Sequence, residues 1–453
     1  IRPAQSSEED RTKFRQEQDM LNAEVRAAST AGFQTRTYVA STGNVMVTEL
    51  WTEGEENFSV AVDFRAKADD PNMPAAAGVE GDVMWASRET FSGKPTQSEE
   101  ARLVSRNDMA ARIVGAVPEF ETDNAGKSTA VFELVPGEKV SVYTVLVGGK
   151  DAETTKDDAI SKVRELDEEA IEDLHEQHLE WWKDYWTKSY VRTYDDTLDQ
   201  FYYGALYQFA CVNRSGFTPA GQYPFCLSDD PAWAGDYHTN QEFLGQNEGL
   251  YSSNRGELLE GSLQVLSDFV PQAKEYAQTK MQTVHESFTE PRDGMLFPVG
   301  IGPWGVDSTV HDNGGEPWTG NMVSDASYTG MLMIWYYEYF QDMDWLREEG
   351  YPFVRELADF WVSHIKLIDE KDEEGKYVTY GAAWEESYGK NPIVDIALIK
   401  TVMDAAIEFS EELGVDAEMR ATWRDIAQNM SDYPTAIQNG KEVFVEYEGK
   451  DSY

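Results

Sequence analysis

Between Thr218 and Phe243 the chain sets aromatic rings (Tyr223, Phe225, Trp233, Tyr237) beside the carboxyl groups of Asp236 and Glu242, the Asn240 amide and the His238 imidazole. A polyhydroxylated ring has apolar C–H faces and hydroxyl edges, and a pocket for one needs this mixture of stacking surfaces and polar groups. The same composition suits a surface loop whose aromatics pack on the domain below. The residues alone leave both readings open.

A second cluster runs from Ala382 to Pro392, directly before a helix that begins near Val394, and places Glu385 and Glu386 between Trp384 and Tyr388. A carboxyl group against an aromatic wall loses hydration, and its pKa rises toward the range where it donates a proton. In so acidic a chain adjacent glutamates also arise by chance, so the pair carries weight only with other support. A third stretch, Gly300 to Asp307 and then His311 to Trp318, is rich in glycine and tryptophan, with Trp304 near its start. It lacks the GxxxxGK[ST] spacing of a phosphate loop and reads either as a long loop over a site or as irregular packing. His175 and His178 lie three apart on a helix with no third ligand nearby in sequence, and read as surface residues rather than zinc ligands. The run Asp369 to Gly375 misplaces its glycine for a calcium loop and reads as a solvated turn. No metal and no cofactor are expected.

The elements that must position these residues follow from periodicity. Residues 1–32, rich in Glu, Arg, Gln and Ala, read as a surface helix or a loosely held leader. From Phe33 the texture changes to β-branched and aromatic runs, Thr35 to Ala40, Val45 to Trp51, Phe58 to Phe64, Ala111 to Val117 and Thr129 to Val147, separated by turn residues. These make an antiparallel β-sandwich over residues 33–150, in which the stretch from Asp69 to Asn107 reads as loop. Residues 151–194 form a helical linker, with Ile160, Val163, Leu166, Ile171, Leu174 and Leu179 on one apolar stripe from Asp157 to Trp186. Beyond Asp195 the period is helical throughout. Leu198 to Ala210, Tyr328 to Phe340, Phe353 to Ile365 and Ile396 to Ile407 each repeat apolar residues at i, i+3 and i+4. Successive helices joined by irregular segments imply hairpins packed side by side with chemistry in the loops, over residues 195–453.

Charge narrows the partners. The 453 residues hold 83 acidic and 38 basic side chains, a formal charge of -45, and such a surface repels nucleic acid and anionic lipid. No apolar run approaches the roughly twenty residues of a membrane-spanning helix. The opening residues, Ile1 to Gln5, lack the pattern of a signal peptide. Cys211 and Cys226 form neither a disulfide framework nor a CxxC pair, and Cys211 reads as a buried helix residue.

Taken in order, these segments resemble glycoside hydrolase family 95, the α-L-fucosidase family, and its six-hairpin relatives, over roughly residues 33–450. Trp233-Ala-Gly-Asp-Tyr-His-Thr-Asn looks like the family's W-x-x-D-Y-H-T-N-I-N segment. Leu198 to Asn213, Leu250 to Asn254 and Trp345 to Phe360 are similar to its helices and helix entries. Trp384-Glu-Glu-Ser with Ile393-Val-Asp resembles its S-P-E-H-G … T-Y-D element. The resemblance implies an α+β multidomain chain: an N-terminal antiparallel β-sandwich, a helical linker and an (α/α)6 helical-hairpin barrel. It also implies inversion, in which one carboxylic acid protonates the leaving oxygen while a carboxylate activates water on the opposite face. Carried across, Glu385 is the acid, with Glu386 the fallback, and Asn240 is the first of two asparagines that position the water. Trp233, Asp236, Tyr237, His238, Trp304 and Trp384 are the expected sugar contacts. Two departures stand out: Glu242 replaces the second asparagine, and the family's base lies beyond residue 453, where Asn439 to Asp451 resembles the lead-in. The barrel is therefore expected to be C-terminally incomplete, with Glu242 the one candidate substitute for the base.

The leading expectation is an exo-acting inverting glycosidase that removes a terminal α-L-fucoside- or α-L-galactoside-like sugar from an oligo- or polysaccharide, working outside the cell or in the periplasm. The alternative is a non-catalytic carbohydrate-binding relative that keeps the aromatic pocket. A polysaccharide lyase using Tyr237 or His238 would need a basic cleft, and the acidic balance speaks against it.

Overall fold

The computed structural model describes residues 1–4, 14–29, 32–66, 73–91, 103–123, 126–150, 155–222, 231–310, 313–385 and 387–451. They form two compact units, Ile1–Tyr207 and Gln208–Tyr453.

The first unit is built on two antiparallel sheets. Its strands are β1 (Arg2–Pro3), β2 (Phe14–Asp19), β3 (Glu24–Ser29), β4 (Phe33–Val39), β5 (Val45–Thr52), β6 (Phe58–Arg65), β7 (Ala75–Glu80), β8 (Val83–Phe91), β9 (Val104–Val114), β10 (Glu119–Asp123), β11 (Lys127–Leu134) and β12 (Lys139–Lys150). Eight of them run in the order β2-β3-β4-β5-β12-β9-β8-β7, and four in the order β1-β6-β11-β10. Side-chain alternation divides the core between the two faces of the large sheet. Leu50, Met84, Ala111, Ile113, Val140 and Val142 face the small sheet and pack on Val60, Val62, Ala130, Phe132 and Leu134. Their neighbours Val47, Val83, Ala110, Tyr143 and Val145 face the other way, onto Ala159, Ile160, Val163 and Ile171. Those last four belong to the helices α1 (Thr155–Glu165) and α2 (Glu168–Thr187). The sandwich is thus covered on one side by the linker.

Four expectations are corrected here. Phe14 to Ser29 is a β-hairpin on the edge of the large sheet, not a helix, and the rest of the expected leader lies largely outside the described residues. An edge strand needs no apolar alternation, so its polar residues gave no strand signal. Asp19 accepts from the amides of Leu21 and Asn22 to close the turn. The stretch expected as loop contains β7, β8 and the start of β9. The linker is two helices: Asp167 caps α2, its carboxylate accepting from Ala170 N at 2.9 Å. His178 is completely buried, and His175 pairs with Glu24 at 2.9 Å, so neither is a free surface residue.

In the second unit α3 (Asp196–Val212), which straddles the boundary, is followed by β13 (Tyr237–His238), α4 (Gln241–Ser252), α5 (Glu260–Thr279) and β14 (Gly300–Ile301). Then come α6 (Asp325–Phe340), the single turn α7 (Met343–Trp345), α8 (Tyr351–Ile368), β15 (Tyr380–Gly381), β16 (Gly389–Lys390), α9 (Ile393–Leu413) and α10 (Arg420–Asn429). A hairpin of β17 (Thr435–Gln438) and β18 (Lys441–Phe444) closes the order. Pro352 starts α8, and Gly414, at φ 70°, ends α9. Helix α6 packs on α4, α5, α8 and α9, and α9 on α8 and α10, in the manner of a partial (α/α) barrel. Trp361, Phe360, Phe269, Phe297, Phe409 and Trp423 are completely or almost completely buried between them. Cys211 is exposed, against expectation, on a helix in which Asp199 and Leu206 alone are buried; Cys226 lies outside the described residues.

Candidate active site

Three residues of the site come from one short strand and the residues that flank it. β13 pairs with β14 in the register Tyr237↔Ile301 and His238↔Gly300, and the Thr239 amide donates to Val299 O at 2.7 Å. Alternation then separates two sets of side chains. Tyr237 and Thr239 point into the protein, donating their hydroxyls to Pro219 O and Pro298 O at 2.7 and 2.6 Å. Asp236, His238 and Asn240 point the other way. The pairing depends on Gly300, because a methyl group there would come 1.9 Å from Asp236 Oδ2.

The fourth residue comes from the loop between β15 and β16. Glu385 Oε1 accepts from His238 Nε2 at 2.9 Å and from the Asn240 side-chain amide. On its other nitrogen His238 donates to Asp236 Oδ2 at 3.1 Å. Both ring nitrogens are then donors, which describes an imidazolium held between two carboxylates. Burial opposes that charge, but Asp236 and Glu385 outweigh it and raise the His238 pKa to about 10. Glu385 responds in the opposite sense: the His238 bond, against burial and helped by Asn240, holds its carboxyl below the usual range. Asp236 is raised by burial despite the pull of His238. Gly320, at φ 55°, lets the backbone pass Glu385, since a methyl there would lie 3.1 Å from its Cγ.

The arrangement opens into a cavity of about 310 Å³ lined by Trp233, Asp236, His238, Ser308, Thr309, Asn313 and Trp318. Trp233 stands edge-on to His238, with ring centroids 6.2 Å apart. Asn240 Oδ1 and Glu242 Oε2, on the first turn of α4 and its cap, are buried without a hydrogen-bond donor among the described residues. Two tryptophans, a carboxylate, an imidazolium, two hydroxyls and an amide can bind a neutral polyol ring and move a proton at its edge.

Of the residues named from sequence, Trp233, Asp236 and His238 line this cavity, and Glu385 and Asn240 join them through the hydrogen bonds from His238 and Asn240 to Glu385. Tyr237 does not: its ring packs on Phe243 and its hydroxyl is spent on Pro219, because strand alternation turns it inward. Trp304 sits on a turn at φ 63° and does not line the cavity. Trp384 is 57% exposed, with its indole N–H directed to Glu446, so the expected aromatic wall against Glu385 is replaced by His238 and Asn240. The pKa of Glu385 therefore falls where a rise was expected. Glu386 lies outside the described residues. Sequence reasoning did not single out Ser308, Thr309, Asn313 and Trp318, although all four lie in or beside its third cluster. It also passed over Asp325 and gave no role to Asp395, the last residue of Ile393-Val-Asp; both are completely buried. Among the described residues no group of His, Cys, Asp and Glu is placed to hold a metal ion, and no helix is long and apolar enough to cross a membrane.

Comparison with known proteins places this geometry in context. Residues 153–448 match the glycosyl hydrolase family 95 catalytic domain. The chain is 27% identical over 177 residues to a probable alpha-fucosidase A of Aspergillus niger, covering 38% of this chain and 20% of that protein. It is 27% identical over 116 residues to a kojibiose hydrolase of Flavobacterium johnsoniae, covering 25% of this chain and 16% of that one. Among solved structures, a putative kojibiose phosphorylase from human microbiome superposes with a TM-score of 0.62 at 12% identity, covering 93% of this chain and 57% of that chain. A bacterial glucoamylase complexed with acarbose gives 0.50 at 12% identity, covering 97% and 61%. These matches span less than two thirds of each relative's length, and at such identity the structural ones speak for the fold. With the family model covering well over half of its residues, the chain belongs to glycoside hydrolase family 95 and carries that family's catalytic-domain fold.

Proposed function

We propose that the chain works as an exo-acting, inverting glycosidase on a terminal sugar of the α-L-fucoside or α-L-galactoside kind. The observation that carries this reading is Glu385, held by His238 and Asn240 beside a cavity bounded by two tryptophans. About 310 Å³ is at the small end of ligand pockets, which run from roughly 300 to 1,000 Å³, and suits a single terminal ring rather than a threaded polymer.

In this reading the ring stacks on Trp233 and Trp318, and its hydroxyls meet Asp236, Ser308, Thr309 and Asn313. His238 Nε2–H passes its proton to the resting Glu385 carboxylate, which delivers it to the departing glycosidic oxygen, and Asp236 holds the imidazole in line. Asn240 Oδ1 and Glu242 Oε2, both lacking donors, accept from the water that attacks the opposite face, and a carboxylate takes that water's proton. Glu242 is the carboxylate on hand for that step.

One observation favours a second reading. Glu385 rests as a carboxylate, and a residue that stays so would recognise sugar hydroxyls without donating a proton. Glu385→Gln separates the two. A hydrolase loses turnover by about 10²–10⁴-fold while retaining sugar binding. A binding protein shows no turnover in either form, and its affinity changes because an acceptor has gone.

A further inference from the structure

Two carboxyl groups near the Glu385–His238 pair have no part in the reaction above. Asp325, the first residue of α6, and Asp395, in the first turn of α9, are both completely buried. None of their four oxygens receives a well-formed hydrogen bond among the described residues, although the Ser324 hydroxyl lies close enough to Asp395 to ease its ionisation. β15 presses against Asp395: a methyl group on Gly381 would come 2.5 Å from its Oδ2.

A buried carboxylate without donors is costly, and the neutral acid is the cheaper state. Burial raises Asp325 well above the usual range; Glu385, Asp395 and Glu242 add to that, while His238 opposes it. Burial likewise raises Asp395 to about 7. Three acids and one imidazolium thus act on Asp325, and Tyr388 feels the charge of Asp395. Groups so arranged exchange protons as a set rather than one by one.

We propose that Asp325 and Asp395 are positioning residues for the Glu385–His238 pair, staying un-ionised while that pair carries its two charges. Once ionised, they lock the proton on His238 and keep it from Glu385. For catalysis this rests on the proposed glycosidase reading, and it assigns the alkaline limb of activity to the two buried acids. The coupling itself can be read on His238 whether or not the chain turns over.

The test is a ¹⁵N NMR titration of the His238 imidazole in the intact protein, wild type against Asp325→Asn and Asp325→Asn/Asp395→Asn. In wild type the curve should carry a second inflection as the buried acids ionise. In the double variant that inflection should vanish and the midpoint should fall by about half a unit or more, since a nearby negative charge can no longer favour the imidazolium. Where turnover is measured, the alkaline limb of kcat/KM should move to higher pH in the same variants. His238 curves that superimpose would overturn the proposal. A changed His238 curve without hydrolysis would leave the coupling standing and remove only the glycosidase reading. If a variant does not fold, infrared spectroscopy of the wild type decides. A band of un-ionised carboxylic acid should persist at neutral pH, and full ionisation there would overturn the proposal.

Discussion

At the scale of single residues the site turns on where one proton rests. Asp236, His238 and Glu385 form a line of hydrogen bonds at 3.1 and 2.9 Å with the positive charge in the middle. Removing the middle group by His238→Ala should release Glu385 from the interaction that holds its carboxyl low. Glu385 must then bring its own proton, so the alkaline limb of kcat/KM should follow the ionisation of Glu385 and move to lower pH, and turnover should fall by about 10²–10⁴-fold. The same substitution reports on stability. A histidine whose folded pKa is raised stabilises fully below its unfolded value near 6.5, and that contribution fades as pH rises toward about 10. Thermal melts should therefore separate wild type from the variant at pH 6 and converge at high pH. The identities of these residues were legible in the sequence, because Trp-x-x-Asp-Tyr-His-Thr-Asn and Trp-Glu-Glu-Ser are local strings. Their electrostatics were not. Which ring stands against Glu385 depends on the turn after β15, and that turn sends Trp384 to Glu446.

At the scale of elements, a two-residue strand decides which side chains face the cavity. β13 needs β14 beside it, and β14 needs Gly300. Gly300→Ala should drive the two strands apart or expel the Asp236 carboxylate. It should lower turnover at least as much as Asp236→Asn, while circular dichroism shows the helices intact. In the other unit, α2 meets the large sheet through His178. Its Nδ1 accepts from Ser41 N at 3.3 Å and its Nε2 donates to Asn22 O at 2.8 Å, so the neutral ring is the one that fits. Burial lowers its pKa, with His175 adding and the Asn22 carbonyl and Glu24 opposing. A lowered folded pKa means stability that is present above about 6.5 and is lost as pH falls. Protection factors of the β2–β3 hairpin amides, corrected for intrinsic exchange, should therefore fall between pH 7 and pH 5, and His178→Gln should flatten that dependence. Periodicity disclosed the amphipathic helices and the central strands. It did not disclose the polar edge hairpin, or the break at Asp167, where the apolar stripe runs on across a capped interruption. An edge strand and a helix cap are made by tertiary pairing and by one side chain, and neither alters a hydrophobic pattern.

At the scale of the whole molecule, a β-sandwich with a helical cover and a partial (α/α) barrel accompany a formal charge of -45. The buried carboxyl groups divide into two kinds: Glu24 and Asp108 keep arginine partners, while burial raises Asp236, Asp325 and Asp395 toward neutrality. A site with three such groups and one imidazolium suits a neutral sugar better than a uronate, which would add a negative charge. The β-then-helix order was readable from periodicity, since the change of period near residue 155 is abrupt. The long-range meeting of residues 236–242 with 385 was not, because it crosses more than 140 positions and only packing brings it about.

The most direct measurement of the central claim is hydrolysis of natural terminal α-L-fucosides and α-L-galactosides by wild type and Glu385→Gln, with the product anomer followed by NMR. The account predicts release of one sugar with inverted configuration by the wild type, a loss of about 10²–10⁴-fold in the variant, and sugar binding by both. Equal rates for the two proteins, or retention of configuration, would contradict it.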